Sequence, residues 1–173
     1  MGQQFNAGLR PFLPSDGPVL AEIFREAIHV LAGDDYDDAQ RDAWASTADD
    51  EEAFVSRLAG NLTLVAVVGG SPAGFASLRG KDHIDMLFVH PSAAGQGIGA
   101  MLLGALEKLA TARGAAALTA DVSDVASHLF GKLGFEPQRR ETVDIDGVWL
   151  GRTMMRKQLA GNNDKNTAPG GRQ

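Results

Sequence analysis

Cysteine is absent from this chain of 173 residues. Its absence excludes disulfide bonds, thiolate metal ligands and a thiol nucleophile, although it fixes no cellular compartment. Long apolar runs are also missing, since no segment approaches the roughly 18–20 residues that cross a bilayer. Residues 1–10 lack the basic region and the apolar stretch of a secretory signal. We therefore expect a cytoplasmic protein without a membrane partner.

Basic residues are fewer than acidic ones: 16 lysines and arginines stand against 22 aspartates and glutamates, which gives a net charge of −6. This balance argues against a nucleic-acid partner, which usually requires a basic surface, and it is compatible with a cationic or amine substrate. The hydrophobic share of 44% is ordinary for a globular protein. The length predicts a single domain over residues 1–160, and the polar tail over residues 161–173 is expected to be disordered.

Helical periodicity dominates the first third of the chain. Apolar residues recur there at the spacing of one helix face, and acidic or hydroxyl residues stand where each helix would begin. The patterns predict three helices, which run from Ser15 or Asp16 to about Leu31, from Asp37 or Asp38 through Trp44, and from residues 49–52 to near Gly60.

Strand patterns dominate the remainder. Gly69-Gly70 and Asp146-Gly147 are pairs typical of tight hairpin turns. The order is a strand, helices, an antiparallel run of three strands, a helix, a strand, a helix and two strands, which indicates a mixed α/β (α+β) domain with one parallel crossover. The predicted strands are 5–12, 62–68, 73–78, 83–89, 115–120, 135–145 and 148–156, with helices over 97–113 and 125–133.

A glycine-rich turn follows the apolar strand that ends at Val89. Its three glycines let the backbone approach a ligand and leave N–H groups free, and an apolar helix begins at once. Backbone donors at a helix N-terminus form an anion site, so residues 95–100 are predicted to hold the pyrophosphate of a nucleotide-like cofactor. The turn formally fits a dinucleotide motif with Asp121 as the ribose-binding acid. However, residues 90–94 separate it from its strand, and three antiparallel strands precede it.

The same turn resembles the acetyl-CoA signature of the GNAT N-acetyltransferases, written Gln/Arg-x-x-Gly-x-Gly/Ala. Gly97 and Gly99 match the required glycines. Ala94 stands where the family has Gln or Arg, which removes one side chain that often supports the loop but leaves the backbone donors intact.

A second segment, residues 123–135, is similar to the family's Asn-x-x-Ala-x-x-x-Tyr-x-x-x-Gly-Phe motif. Two motifs at the correct separation are more specific than either alone, and together they favour this family over a dinucleotide fold. The resemblance covers about residues 9–159. Ala126, Gly134 and Phe135 match in identity and spacing, whereas Ser123 replaces Asn and Phe130 replaces Tyr.

The resemblance implies the GNAT fold: a mixed, mostly antiparallel sheet of six to seven strands, flanked by helices, with a central splayed pair of parallel strands. Acetyl-CoA would bind at the splay, and no metal is required. The implied cofactor contacts are the backbone of Leu87, Phe88 and Val89, the N–H groups of Gly95, Gln96, Gly97, Ile98, Gly99 and Ala100, and the motif positions Ser123 and Phe130.

The implied activity is acetyl transfer to a primary amine of a small molecule or a peptide by direct attack, for which a general base is expected. Asp85, on the strand that leads to Val89, is the predicted base; the alternative is an ion-pair partner. Tyr36, the only tyrosine, is the predicted acid or acceptor-binding residue; the alternative is packing at a helix boundary. His29 and Trp44 complete the predicted acceptor site, with surface and core roles as their alternatives.

Phe130 leaves a second function open. Because it lacks the hydroxyl of the family's tyrosine, the chain also fits an acyl-CoA-binding sensor or interaction module without turnover. The resemblance allows a homodimer through the final strands. No set of histidine, aspartate and glutamate residues has the spacing of a metal site.

Overall fold

The computed structural model describes residues 6–159. Its seven strands form one sheet in the order β1-β2-β3-β4-β5-β7-β6. The strands are β1 (Ala7–Pro11), β2 (Leu62–Val68), β3 (Ser71–Arg79), β4 (His83–Val89), β5 (Ala117–Ser123), β6 (Glu136–Ile145) and β7 (Val148–Gln158). The helices are α1 (Gly17–Leu31), α2 (Asp38–Ala45), α3 (Glu51–Gly60), α4 (Ile98–Ala112) and α5 (Ser127–Lys132).

Both predicted hairpin turns are confirmed. Gly69 and Gly70 have φ angles of 59° and 84°, and Asp146 and Gly147 have 51° and 82°. Two consecutive left-handed residues make the turn whose twist matches that of the flanking strands. The first turn therefore connects β2 to β3, and the second connects β6 to β7.

β4 and β5 form the parallel pair of this otherwise antiparallel sheet. They pair only where they begin, at His83 with Thr119 and at Ile84 with Ala120. Beyond these positions β5 continues against β7, up to Ser123 opposite Arg152. The two parallel strands therefore separate towards their C-terminal ends, and the expected splay is confirmed.

Helices cover the sheet unequally. α4 buries Leu102 and Leu106 against one face, in a core that includes Leu118 of β5. α1 and α3 cover the other face over β2, β3 and β4, where the core contains Phe24 and Phe54. On that second face, β5 and β7 carry Asp121 and Arg152, and this polar part of the sheet lies beside the splay.

The predicted bounds of α1 are confirmed, but one helix cap and one strand boundary were wrong. The side chain of Asp16 does not cap α1: it accepts from the Leu13 N–H at 2.8 Å and binds Arg10 at 2.8 Å, which fixes a short 3₁₀ turn before the helix. β5 extends to Ser123 rather than ending at Ala120. The predicted disorder of residues 161–173 falls outside the described residues.

Candidate functional site

The N-terminus of α4 has the geometry of an anion site. Gly97 is its N-cap residue, with φ at 81°, and no side chain caps the 15-residue helix. Gly95 is also left-handed, with φ at 76°, and a Cβ added at either glycine would meet no atom within 4 Å. The first N–H groups of the helix therefore face open space, where a phosphate can approach them.

Gly99 is required for a different reason. A Cβ at this position would lie 2.9 Å from Cδ2 of Leu129 and 3.9 Å from Cγ2 of Val89. The missing side chain therefore lets α4 pack closely on β4 and α5. Ile98 is buried in the core, so only its backbone N–H faces a possible ligand.

Three adjoining cavities occupy the splay. The central cavity, about 70 Å³, lies between β4 and β5. The α4-side cavity, about 150 Å³, extends to Gly99 and Leu129, and the hairpin-side cavity, about 210 Å³, extends to Leu150 of β7. Trp44, Phe88 and Ser123 line all three. Two chambers thus meet where the parallel strands separate, as bound reactants require.

Six of the predicted cofactor residues line the α4-side or the central cavity, namely Leu87, Phe88, Val89, Gly99, Ser123 and Phe130, whereas Gly95, Gln96, Gly97, Ile98 and Ala100 line neither. Leu87, Phe88 and Val89 line the first of these, beyond the point where β4 pairs with β5. Phe130 lines the central cavity and packs edge-to-face on Phe135 at 4.9 Å, so its ring belongs to the core. The oxygen of the Ser123 side chain accepts a 3.3 Å bond from the Ala126 N–H, which holds the start of the loop before α5.

Trp44 belongs to a cluster of aromatic rings beside the cavities. Its ring stacks edge-on against Tyr36 at 5.7 Å and Phe88 at 5.9 Å, and Phe24 lies 4.6 Å from the Phe88 ring. These rings make one wall of the hairpin-side cavity apolar. His29 does not share this position: its exposed side chain lies 3.9 Å from Asp42 and lines none of the three cavities.

Tyr36, between α1 and α2, is hydrogen-bonded to β7 and to the turn after β5. Its buried hydroxyl donates to the Gly151 carbonyl at 2.7 Å and accepts from the Asp124 N–H at 2.9 Å. Burial raises the pKa of Tyr36, and the bond from the Asp124 backbone offsets part of that effect. Because the hydroxyl proton is already donated, this geometry favours a structural link beside the cavity over a proton donor.

Asp85 is held in an ion pair. Arg57 donates to it through Nε at 2.7 Å and Nη2 at 2.9 Å, and Asn61 donates at 3.0 Å. Burial alone would raise the pKa of Asp85, but the hydrogen bonds and charge of Arg57, with the charges of Arg79 and His83, hold it below its usual value. Asp85 lines none of the three cavities. The geometry therefore favours an ion-pair partner over a base.

We expect Asp85→Asn to lower the stability of the protein at pH 7 by about 2 kcal/mol, or roughly 4–8 °C in Tm, because charged hydrogen bonds to a buried carboxylate are lost. A depressed pKa stabilises the fold above the usual value of 3.8 and ceases to do so as the pH falls through the folded value. The Tm gap to wild type should therefore narrow below about pH 3.8. Glu26→Gln, at an exposed position of α1, is the control, and a gap that stays constant down to pH 2.5 would contradict the assignment.

Asp121 was missed as a catalytic candidate. It follows Ala120 on β5, and within residues 6–159 it is the only titratable residue that lines both the central and the hairpin-side cavity. Its carboxylate lies 3.6 Å from Nη2 of Arg152 and 3.7 Å from Nε2 of His83, and the side chain is 29% exposed. The signal was present in the sequence, because Leu118, Ala120 and Val122 alternate and place Asp121 on the opposite face.

Within residues 6–159, no group of three or more histidine and acidic side chains is arranged to hold a metal ion. No helix in this part of the chain is long and apolar enough to cross a membrane.

Comparison with known proteins gives a consistent result. Residues 32–159 match the family model described as an acetyltransferase (GNAT) domain. The chain is 33% identical to the uncharacterized N-acetyltransferase YafP of Escherichia coli over 151 residues, which are 87% of this chain and 95% of YafP.

Solved structures agree. A GCN5-related N-acetyltransferase described as an aminotransferase of class II, from Rhodopseudomonas palustris, is 51% identical and superposes with a TM-score of 0.89 over 92% of this chain and 100% of that one. YncA of Salmonella typhimurium, a putative acetyltransferase solved with acetyl-CoA, is 27% identical, with a TM-score of 0.62 over 95% of this chain and 98% of YncA.

Proposed function

Because the chain belongs to the GNAT family of acyl-CoA-dependent acetyltransferases, we propose that it transfers an acetyl group from acetyl-CoA to a primary amine by direct attack in a ternary complex. The observation that carries this proposal is the meeting of two chambers at the splay, one beside the α4 N-terminus and one beside Asp121. The earlier alternative of a dinucleotide site loses its support, because the turn belongs to a GNAT domain.

The α4 side fits coenzyme A. The N-terminus of α4 offers uncapped N–H groups beside open space at Gly95 and Gly97, which suits a diphosphate. The backbone of Leu87 to Val89, beyond the part of β4 that pairs with β5, is placed to bind the amide groups of pantetheine. Acetyl-CoA would supply the acetyl group as a reactive thioester.

The hairpin side fits the amine. An ammonium group cannot attack, so one proton must leave as the new C–N bond forms and the C–S bond breaks. Asp121 is placed to accept that proton, directly or through water, because it lines both the amine chamber and the central cavity. Ser123, Phe88 and Trp44 line the point where the reactants would meet.

The proposal is tested by binding and turnover measured together. Saturating CoA or acetyl-CoA at about 100 times Kd should stabilise the protein by about 2.7 kcal/mol, roughly 5–10 °C in Tm, whereas NADH should not. Thiol release should follow on addition of an acceptor from a panel of polyamines, amino acids, aminoglycosides and peptides.

A non-catalytic acyl-CoA-binding module is the second candidate, favoured by Phe130, whose buried ring supplies no hydroxyl at the splay. A thermal shift without thiol release across the whole panel would favour this candidate. The absence of any shift would contradict both.

A further inference from the structure

We propose that the acceptor is a small apolar amine that also carries a carboxylate, such as an apolar amino acid, and that Arg152, assisted by Arg57, binds this carboxylate. The inference rests on the proposed function, because it names the substrate class of the hairpin-side cavity. Both arginines line that cavity, together with Asp121.

Arg57 presents a prepared guanidinium edge. Its Nε and Nη2 are occupied by Asp85, whose side chain is only 6% exposed. Among the hydrogen bonds of the described residues, none is donated by Nη1 of Arg57. The buried carboxylate of Asp85 holds one edge of the Arg57 guanidinium in place. The remaining N–H groups can therefore bind a second anion without a further loss of side-chain entropy.

Arg152, which lines the same cavity, is held by a carboxylate through one hydrogen bond. Its Nε donates to Glu141 at 2.9 Å, and Glu141 also lies 3.4 Å from Arg139. Nη2 of Arg152 lies 3.6 Å from Asp121, which is longer than a hydrogen bond. Its side chain is 35% exposed, so the outer edge of the guanidinium is accessible from the cavity.

The local charge balance differs from that of the whole chain. The charged side chains that line this cavity, together with those linked to them through ion pairs, are four arginines and three carboxylates. They carry an excess of one positive charge in a protein of net charge −6. Burial and then the charge of Arg79 lower the pKa of His83, so the imidazole adds no charge at neutral pH. The site therefore does not favour a polycation. The charged groups are Arg57, Arg79, Arg139, Arg152, Asp85, Asp121 and Glu141.

The spacing suits a zwitterion. Because Asp121 and Arg152 are 3.6 Å apart, an amine beside the carboxylate of Asp121 places its own neighbouring carboxylate within reach of Arg152. Phe24, Met86 and Leu150 form an apolar surface for the rest of the molecule. A cavity of about 210 Å³ holds a side chain of moderate size.

The test compares acceptors with and without the carboxylate, each at a pH where the same fraction of its amine is protonated. Wild-type enzyme should acetylate phenylalanine with a kcat/KM about 10- to 100-fold above that for phenylalaninamide or phenethylamine, because a charged hydrogen bond is made only with the acid. Leucine against leucinamide is the aliphatic pair. In addition, 3-phenylpropionate, which has the carboxylate but no amine, should inhibit competitively against the acceptor.

Variants then test whether Arg152 binds the carboxylate of the acceptor. Arg152→Gln should reduce the preference for the acid over the amide to within about 3-fold and weaken inhibition by 3-phenylpropionate by about 10-fold or more. Arg156→Gln is the matched control, because this exposed arginine lies on the same face of β7 and lines none of the three cavities. It should keep both the preference and the inhibition.

Two results would overturn the inference. The first is wild-type enzyme that acetylates amides and simple amines as well as the acids, which leaves the acetyltransferase proposal intact. The second is an Arg152→Gln variant that loses activity equally on acids and amides, because a merely structural arginine would behave in that way. If CoA binds but no amine at all releases thiol, the proposed function itself fails, and the inference fails with it.

Discussion

Asp121→Asn is expected to lower kcat/KM for an amine acceptor by about 10²- to 10⁴-fold at pH 7, the range in which general bases contribute. The physical reason is that most of a primary amine is protonated at this pH, and asparagine cannot take its proton. Asp121 is the residue concerned because it alone, among the titratable groups of the part of the chain that the structure describes, lines both the amine chamber and the central cavity. Steady-state thiol release measures the loss.

The pH dependence separates a base from a binding residue. In wild type the ammonium form can bind and give its proton to Asp121, so kcat/KM should be flat over neutral pH. In Asp121→Asn only the neutral amine can react, so kcat/KM should rise roughly tenfold per pH unit up to the pKa of the acceptor. An acceptor that is already neutral at pH 7, such as an alkoxyamine, should show a much smaller deficit.

Asp85→Asn is the informative control, because it removes the competing carboxylate of the neighbouring strand. It should keep the flat profile of the wild type when it is assayed at a temperature where the variant is folded. A flat profile for Asp121→Asn, with a deficit that does not depend on pH, would show that Asp121 only binds or positions. A steep pH profile for Asp85→Asn would show instead that Asp85 is the general base.

The difference between these two carboxylates shows what local sequence patterns can and cannot predict. The position of Asp85 on the strand that leads to Val89 predicts that it is the base. In the fold, a register shift opposite Ser77 and Leu78 leaves Asp85 without a Cα partner on β3. Its side chain meets Arg57, which is 28 positions away in sequence. No periodicity in either segment encodes that contact.

The sequence predicts the fold better than the site, because the patterns that indicate helices, strands and turns lie within short segments. The hairpin turns Gly69-Gly70 and Asp146-Gly147 and the apolar helix after Val89 each depend on a few neighbouring residues, and together they predict the order of strands and helices along the chain. The end of β5 was misplaced because Asp121 and Ser123 are polar residues that resemble the start of a loop. They belong to the strand because the uncovered sheet face beside the splay accepts polar side chains.

Tyr36 illustrates a second limit. Its position between the N-terminal helices was expected, and the single tyrosine suggested a replacement for the acid missing at Phe130. The hydroxyl instead bridges the backbone of Gly151 and Asp124, which are more than eighty residues away in sequence. Long-range contacts of this kind decide whether a polar side chain is free for chemistry, and they emerge only from the tertiary structure.

Gly97→Val is expected to remove most of the stabilisation by CoA, with a loss of about 100-fold or more in affinity. The left-handed φ of 81° costs an L-residue about 1–2 kcal/mol, and the new side chain would occupy the open space at the α4 N-terminus where the diphosphate is proposed to bind. At a CoA concentration that stabilises wild type by about 2.7 kcal/mol, the variant should keep at most about 0.4 kcal/mol of stabilisation, roughly 1 °C in Tm.

The acyl donor distinguishes a lost phosphate site from a damaged fold. S-acetylpantetheine lacks the diphosphate, so Gly97→Val should use it with a kcat/KM close to that of wild type while its kcat/KM for acetyl-CoA falls. Gly104→Ala is the control within the same helix, because a Cβ there meets no atom within 4 Å, and it should keep the CoA shift and raise the stability by about 0.5–1 kcal/mol. Equal losses with both donors would mean that Gly97 supports the splay itself, and that the diphosphate is bound elsewhere.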